Sequence, residues 1–344
     1  MIAILTLALF VTGSFIIIGM LISAPTYSGR LSDHFDGKKF INPGNAQAKG
    51  LLDVFQWMMK RQQGPWTEKK ESAYGEKPQS IITQGVKITF VNHSTFLIQI
   101  DGKNILTDPV WSERTSPFQF AGPKRMNQPG IRFEDLPRID FIILSHNHYD
   151  HLDIKTVKNI YRIHQPNIIT PLGLKSFLDE HHITSATDMD WWQEVSLSDS
   201  LTIQSVPAQH FSGRGIIDRD ATLWCGYVIR NDQRTIYFAG DTGYNPITFK
   251  EIGKRCVPIS VALIPIGAFK PAWFMSPIHC SPAEAVQIHL DVHASQSIAT
   301  HFGTFPLADD GKDEPTVELT KAMSEAKLDT ETFLALKEGE GRLF

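Results

Sequence analysis

Apolar and polar positions divide the chain into three regimes. From Met1 to Ala24 nearly every residue is apolar and none is charged, a run long enough to cross a bilayer as a helix. Residues 25–80 are rich in Gly, Pro, Lys and Gln. They read as an irregular arm with one helical stretch, Gly50 to Arg61, ending before Gly64-Pro65. From residue 81 to 344 short apolar runs alternate with turns. Strands are predicted at Val86–Val91, Thr95–Ile100, Asn104–Thr107 and Phe141–Leu144, then at Leu201–Val206, Gly226–Arg230, Thr235–Ala239 and Val261–Ile264. Helical segments fall between some of them, for example Ile154–Ile163 and Pro282–Asp291. Strands interspersed with helices predict an α/β layered domain. There is no internal repeat and no low-complexity tract.

The first run has two readings. Ser23-Ala24 supplies the small residues of a signal-peptide cleavage point, but the usual positive n-region is missing. The reading adopted is an uncleaved membrane anchor. Arg30, Lys38 and Lys39 follow it and favour the cytoplasmic over the periplasmic face for what comes after.

Composition narrows the class. The chain has 344 residues, 42% hydrophobic and 20% charged, as in an ordinary globular protein of one large or two small domains. A net charge of −4 argues against a generic nucleic-acid binder. The three cysteines, Cys225, Cys256 and Cys280, are widely spaced with no CxxC pair. That argues against a disulfide framework or a cysteine zinc knuckle and favours buried or partly buried thiols.

The histidines carry the chemistry. Asp140-Phe-Ile-Ile-Leu-Ser-His-Asn-His-Tyr-Asp-His151 places an apolar strand before His146, His148, Asp150 and His151. A loop leaving a strand can turn all four toward one point, and imidazole with carboxylate suits zinc or a similar metal. Three further candidates stand at strand ends: His210, Asp241 (with Gly240 allowing close approach) and His301. His93 lies in a turn between strands and could support the site from behind the ligands.

This order, HxHxDH, then His, then Asp, then His, resembles the metallo-β-lactamase superfamily. Gly122-Pro-Lys-Arg125, Leu144–Asp153, Asp190-Trp-Trp192, Phe238–Tyr244, Glu251–Arg255, Ile264–Ala268, Trp273-Phe-Met275 and His301–Phe305 resemble, more narrowly, the N-acyl-phosphatidylethanolamine-hydrolysing phospholipase D family. The resemblance covers about residues 85 to 344. It implies an αβ/βα four-layer sandwich, here preceded by the N-terminal membrane-anchor helix, with two zinc ions at one edge of the packed sheets. It further implies that His146, His148 and His210 bind one zinc, that Asp150, His151 and His301 bind the other, and that Asp241 bridges them. Asp108, in Leu-Thr-Asp-Pro109, would orient a ligand histidine or simply make a turn. His279 would protonate or position substrate, beside Asp150 and Asp108 as the candidates for catalytic roles. Gln119, Phe120 and Arg214 match substrate-pocket positions. The family has a tyrosine where this chain has Phe120, so no hydroxyl is available there.

Two such metals lower the pKa of bound water and clamp the oxygens of a phosphodiester in line. The expected reaction is hydrolysis of N-acyl-phosphatidylethanolamine-type phospholipids to phosphatidate and N-acylethanolamine, with phospholipid and membrane as partners and a homodimer as an option. The same site supports hydrolysis of a soluble lactone, amide or phosphate ester, since fold does not fix function. A β-lactamase is disfavoured by the absence of a cysteine in the second metal set. A vestigial scaffold would have lost ligands, and all seven are present.

Overall fold

A computed structural model describes residues 13–14, 16–67 and 74–344. Among the described residues, fourteen strands form two seven-stranded mixed sheets. The first contains β1 (Val86–Asn92), β2 (Thr95–Ile100), β3 (Lys103–Thr107), β4 (Phe141–Ile143), β5 (Asn167–Pro171), β6 (Ala186–Met189) and β14 (Gly341–Leu343), in the order β14-β1-β2-β3-β4-β5-β6. The second contains β7 (Glu194–Ser196), β8 (Thr202–Val206), β9 (Gly226–Arg230), β10 (Thr235–Phe238), β11 (Ile259–Pro265), β12 (Ala294–Thr300) and β13 (Phe333–Leu334), in the order β13-β12-β11-β10-β9-β8-β7. The chain passes from one sheet to the other at Asp190-Trp191-Trp192-Gln193. It returns at β14, which pairs antiparallel with β1, Lys87 facing Leu343.

The alternation read from the sequence accounts for the layering. Ile88, Phe90, Phe96 and Ile98 of the first sheet meet Tyr227, Ile229, Phe238 and Leu263 of the second in one buried cluster between them. The opposite faces are covered by helices. Leu106, Ile142 and Leu144 pack against α2 (Ile154–His164) and α3 (Leu174–Glu180). Tyr237, Ala262 and Ile264 pack against α4 (Pro246–Arg255), α6 (Pro282–Asp291) and α7 (Glu314–Glu325). The four-layer sandwich is therefore the architecture. A ten-residue helix in the arm (Leu51–Lys60, α1) lies against a short one, α5 (Ala272–Met275).

The expected membrane anchor is overturned. Residues 1–12 and 15 of the apolar run lie outside the described residues. Among those described, no helix is long and apolar enough to cross a membrane. The described end of the run is instead used to dock on the domain. Gly19 O accepts from Ile216 N at 3.2 Å, and Ala24 N donates to Asp218 Oδ2 at 2.8 Å. Ala24 is buried in the cluster over the first sheet. The inferred cytoplasmic orientation falls with the anchor.

Candidate metal centre

The site lies at the edge where strand ends of both sheets meet. The loop after β4 carries His146, His148, Asp150 and His151, tightened by Leu152 N donating to His148 O at 2.8 Å. His210 follows β8, Asp241 follows β10 and His301 follows β12. Gly240, at φ +63°, sits where a Cβ would come within 2.7 Å of the Ser145 side chain, so only glycine lets Asp241 approach so closely. His301, His93 and Asp108 all have positive φ, backbone strain of the kind that persists where surrounding structure enforces it.

Donor atoms converge in two overlapping sets. His148 Nδ1 is 2.8 Å from His146 Nε2 and 3.2 Å from His210 Nε2. Asp150 Oδ2 is 3.4 Å from His151 Nε2 and 3.3 Å from His301 Nε2. Asp241 Oδ2 lies between the sets, 3.1 Å from His301 Nε2, 3.2 Å from His151 Nε2 and 3.7 Å from His210 Nε2. His93 joins the second set, with Nε2 3.1 Å from Asp150 Oδ2.

Partners behind the rings fix which nitrogen faces inward. His151 Nδ1 donates to Asp108 Oδ2 at 2.7 Å. His210 Nδ1 donates to the Ile278 carbonyl at 2.8 Å. Ser145 Oγ gives its own proton to Asp108 Oδ2 (2.6 Å), so it accepts from His146 Nδ1 (2.9 Å). In the neutral form of each of these three rings Nε2 then carries the lone pair and points into the site, the tautomer a metal ligand needs. His151 Nε2, His301 Nε2 and Asp241 Oδ1 are buried with no hydrogen-bond partner.

The electrostatics agree. Burial holds His146 and His210 well below the ordinary histidine value, and His148 and His279 at about 4, so their lone pairs are free at neutral pH. Burial works the same way on His301, but the Asp241 and Asp150 carboxylates outweigh it and lift this ring to about 9; the same carboxylates raise His151. Asp150 and Asp241, ionised in spite of burial, thus demand positive charge at this point. A divalent cation in each set would meet that demand, so the donor chemistry fits metal.

Residues 103–302 match the profile of the β-lactamase superfamily domain. The chain belongs to the β-lactamase superfamily. Within it, the chain is 41% identical over 232 residues to the N-acyl-phosphatidylethanolamine-hydrolyzing phospholipase D 1 of Caenorhabditis elegans, covering 65% of each chain. It is 33% identical over 239 residues to the mitochondrial enzyme of that name from Saccharomyces cerevisiae, covering 67% of this chain and 50% of that one. The matched region therefore spans less than two thirds of either relative. A metallo hydrolase from the archaeon Ignicoccus hospitalis shares the fold at TM-score 0.57 and 22% identity, over 76% of this chain and 99% of that one.

The superfamily site opens into a cavity of about 330 Å³ walled by Val54, Trp57, Phe211, Phe274 and Met275, with His148, Asp150, Asp241 and His279 at its floor. A larger cavity of about 780 Å³, near Gln62 and Lys270, holds none of the metal-binding groups. His279 faces the first cavity, with Nδ1 unbonded and 3.9 Å from Asp241 Oδ2. Asp108 accepts from both the amide and the hydroxyl of Ser145 as well as from His151, an orienting role beyond a simple turn.

Three residues matched to the substrate pocket are placed elsewhere. Arg214 is buried: its Nη1 donates to the carbonyls of Asn147 (2.7 Å) and Leu152 (3.0 Å), and its guanidinium lies 3.9 Å over the Tyr149 ring. It braces the loop of His146 to His151 from behind. Gln119 turns back on its own loop, bonding both Arg114 N and O. Phe120 is 82% exposed and stacks only on Phe118. The sequence reading missed Asn42, whose side chain donates to His210 O (2.7 Å) and accepts from His210 N (2.9 Å). No local signal marks it, because its partner lies far along the chain. It also missed Arg219 and Lys49 at the rim of the cavity.

Proposed function

We propose that this chain is a dinuclear zinc phosphodiesterase that hydrolyses N-acyl-phosphatidylethanolamine-type phospholipids to phosphatidate and N-acylethanolamine. The observation that carries the reading is the pair of donor sets sharing Asp241 at the floor of an apolar-walled cavity. The names of the nematode and yeast relatives point the same way. His146, His148 and His210 would hold one zinc, Asp150, His151 and His301 the other, and Asp241 both. Bound there, two zinc ions supply Lewis acidity toward phosphoryl oxygens and lower the pKa of water.

The chain's own residues do the rest. Asp108, Ser145 and the Ile278 carbonyl keep three ligand rings in the required tautomer. His279, neutral at pH 7, offers a hydrogen bond to the substrate rather than acting as a strong acid. Val54, Trp57, Phe274 and Met275 receive acyl chains and exclude water. Arg219 and Lys49 attract the phosphodiester to the rim. A phospholipid membrane is the partner that presents this substrate.

The test gives purified protein in detergent N-acyl-phosphatidylethanolamine, phosphatidylcholine and a panel of lactones. Phosphatidate release from the first, abolished by Asp241→Asn, is expected, together with two zinc ions per chain by elemental analysis. Fast lactone hydrolysis without phosphatidate release would assign the chain to soluble substrates instead.

A further inference from the structure

Three of the candidate ligand rings are held from behind. Asp108, Ser145 and the Ile278 carbonyl bond the outer nitrogens of His151, His146 and His210. His301 has no such partner: its Nδ1 is buried and unbonded, and so is Nδ1 of the neighbouring His93. The two rings lie side by side, centroids 4.1 Å apart, with the His301 amide donating to the His93 carbonyl at 2.9 Å. Both turn Nε2 toward Asp150 Oδ2, at 3.3 and 3.1 Å, so both Nδ1 atoms face away from that carboxylate. Behind them is a small cavity whose walls include Phe302, Phe305 and Leu307. Asp310, itself buried, lines the same cavity. The space open there to the centre of a water molecule is about 10 Å³, enough for one.

We propose that this cavity binds one water molecule, which bridges His301, His93 and Asp310 and makes Asp310 the remote support of the His301 ring. The hydrogen bonds fix how that water lies. With His301 neutral and Nε2 turned to a metal, Nδ1 carries the proton and donates to the water oxygen. The Asp150 carboxylate only accepts, so Nε2 of His93 carries that ring's proton and, in the neutral ring, its Nδ1 is an acceptor. The water then gives one proton to His93 Nδ1 and the other to the Asp310 carboxylate. Every donor meets an acceptor, and three bonds is the usual number for a buried water. Asp310 has the capacity for it. Its Oδ2 takes the Ala268 amide at 3.2 Å and its Oδ1 the Lys270 amide at 3.4 Å, two of about four lone-pair positions. Trp66 Nε1, also at the cavity, is committed to the Asp310 carbonyl at 2.9 Å. Asp310 lies close enough to His301 for the charge on that ring to act on it. Two nitrogens left unbonded at this depth would each bear a full desolvation penalty, and water is the ligand that fits the space.

The water site stands without metal; its part in supporting His301 rests on the two-zinc reading. The first experiment is therefore a high-resolution crystal structure of the full chain, both metal-free and zinc-loaded. One water within about 2.7–3.2 Å of His301 Nδ1, His93 Nδ1 and an Asp310 carboxylate oxygen is expected in both. A dry cavity, or Asp310 bonded directly to His301, overturns the proposal. The second experiment titrates zinc in competition with a chromogenic chelator. Of the two zinc Kd values, one is expected to rise about 10–100-fold in Asp310→Ala while the other stays as it is. Asp310→Asn, whose amide oxygen still accepts from water, should recover most of that loss. Asp310→Ala also frees the amides of Ala268 and Lys270, so a loosened loop is the rival cause. NMR spectra of the zinc-loaded protein with labelled histidine separate the two. The His301 Nδ1–H resonance should shift in Asp310→Ala and return in Asp310→Asn. Unchanged Kd values in Asp310→Ala, or a His301 resonance that does not move, overturn the support. A wild type that holds the water but takes up no zinc supports the water site and overturns the two-zinc reading.

Discussion

Asp108 and Asn42 each hold a candidate ligand histidine, one by the ring and the other by the backbone. Asp108→Asn keeps the shape but loses the carboxylate that receives the His151 Nδ1 proton and both Ser145 donors. Zinc affinity is expected to fall about 10–100-fold, measured by competition with a chromogenic chelator, with the far-UV spectrum unchanged. Asn42→Ala strands His210 N at a buried position and removes one of the two acceptors of Trp224 Nε1, leaving it the Ala208 carbonyl. Urea unfolding should show a loss of about 1–3 kcal/mol. The two residues differ in how readable they were. Asp108 stands between a strand and a proline and resembled a known supporting position. Asn42 sits in an arm of unremarkable composition, and its role exists only once the arm has folded over β8. Arg214 was misplaced for a related reason: a sequence match gives a position, not the direction in which a long side chain turns.

At the scale of elements, the arm is fastened by His34. Its ring stacks on Trp191 at 4.3 Å, with Nδ1 2.6 Å from Asp33 and Nε2 2.7 Å from Asp190. Burial opposes the charged ring, but the bonds to Asp190 and Asp33 outweigh it and raise its pKa. The folded state therefore binds this proton more tightly than the unfolded one. Its stabilisation is complete below the ordinary value near 6.5 and is lost as pH climbs through the raised value. Melting temperature should fall as pH rises above about 6.5, and His34→Gln should flatten that slope. Strands were legible where burial on both faces made them continuously apolar, as in Phe141-Ile-Ile143 and Val261–Ile264. β6 (Ala-Thr-Asp-Met) and β7 (Glu-Val-Ser) escaped because they lie at sheet edges and carry polar residues on their solvent side. α1 was readable as a helix from Gly50 to Arg61; which of its apolar residues stay uncovered was not, since packing decides that.

On the scale of the whole molecule, the candidate metal centre joins the two sheets. One loop of the first sheet supplies His146 to His151, while His210, Asp241 and His301 come from the second. Metal binding is therefore linked to folding. For a metal present at about a thousand times its Kd the linkage is about 4 kcal/mol, or about 6 °C in Tm for a chain of this size. Dialysis against a chelator should lower Tm by at least that much, added zinc should restore it, and Asp241→Asn should show little of either change. The layered α/β class was legible from the alternation of strands and helices; the pairing of the sheets came from resemblance, because no local pattern states which strands become neighbours. The return of β14 to β1 was not legible at all, being a contact between opposite ends of the domain. It has a consequence in time. At roughly 5–20 residues per second, a ribosome takes roughly 10–50 s to pass from β1 to its partner, making the whole second sheet in between. Over that interval β2 to β6 complete the first sheet on one side of β1 while its other edge stays open, with Lys87 among the few polar residues on that edge. The nascent chain is thus most exposed to wrong pairing at the strand it made first, and that strand is where a chaperone has the most to shield.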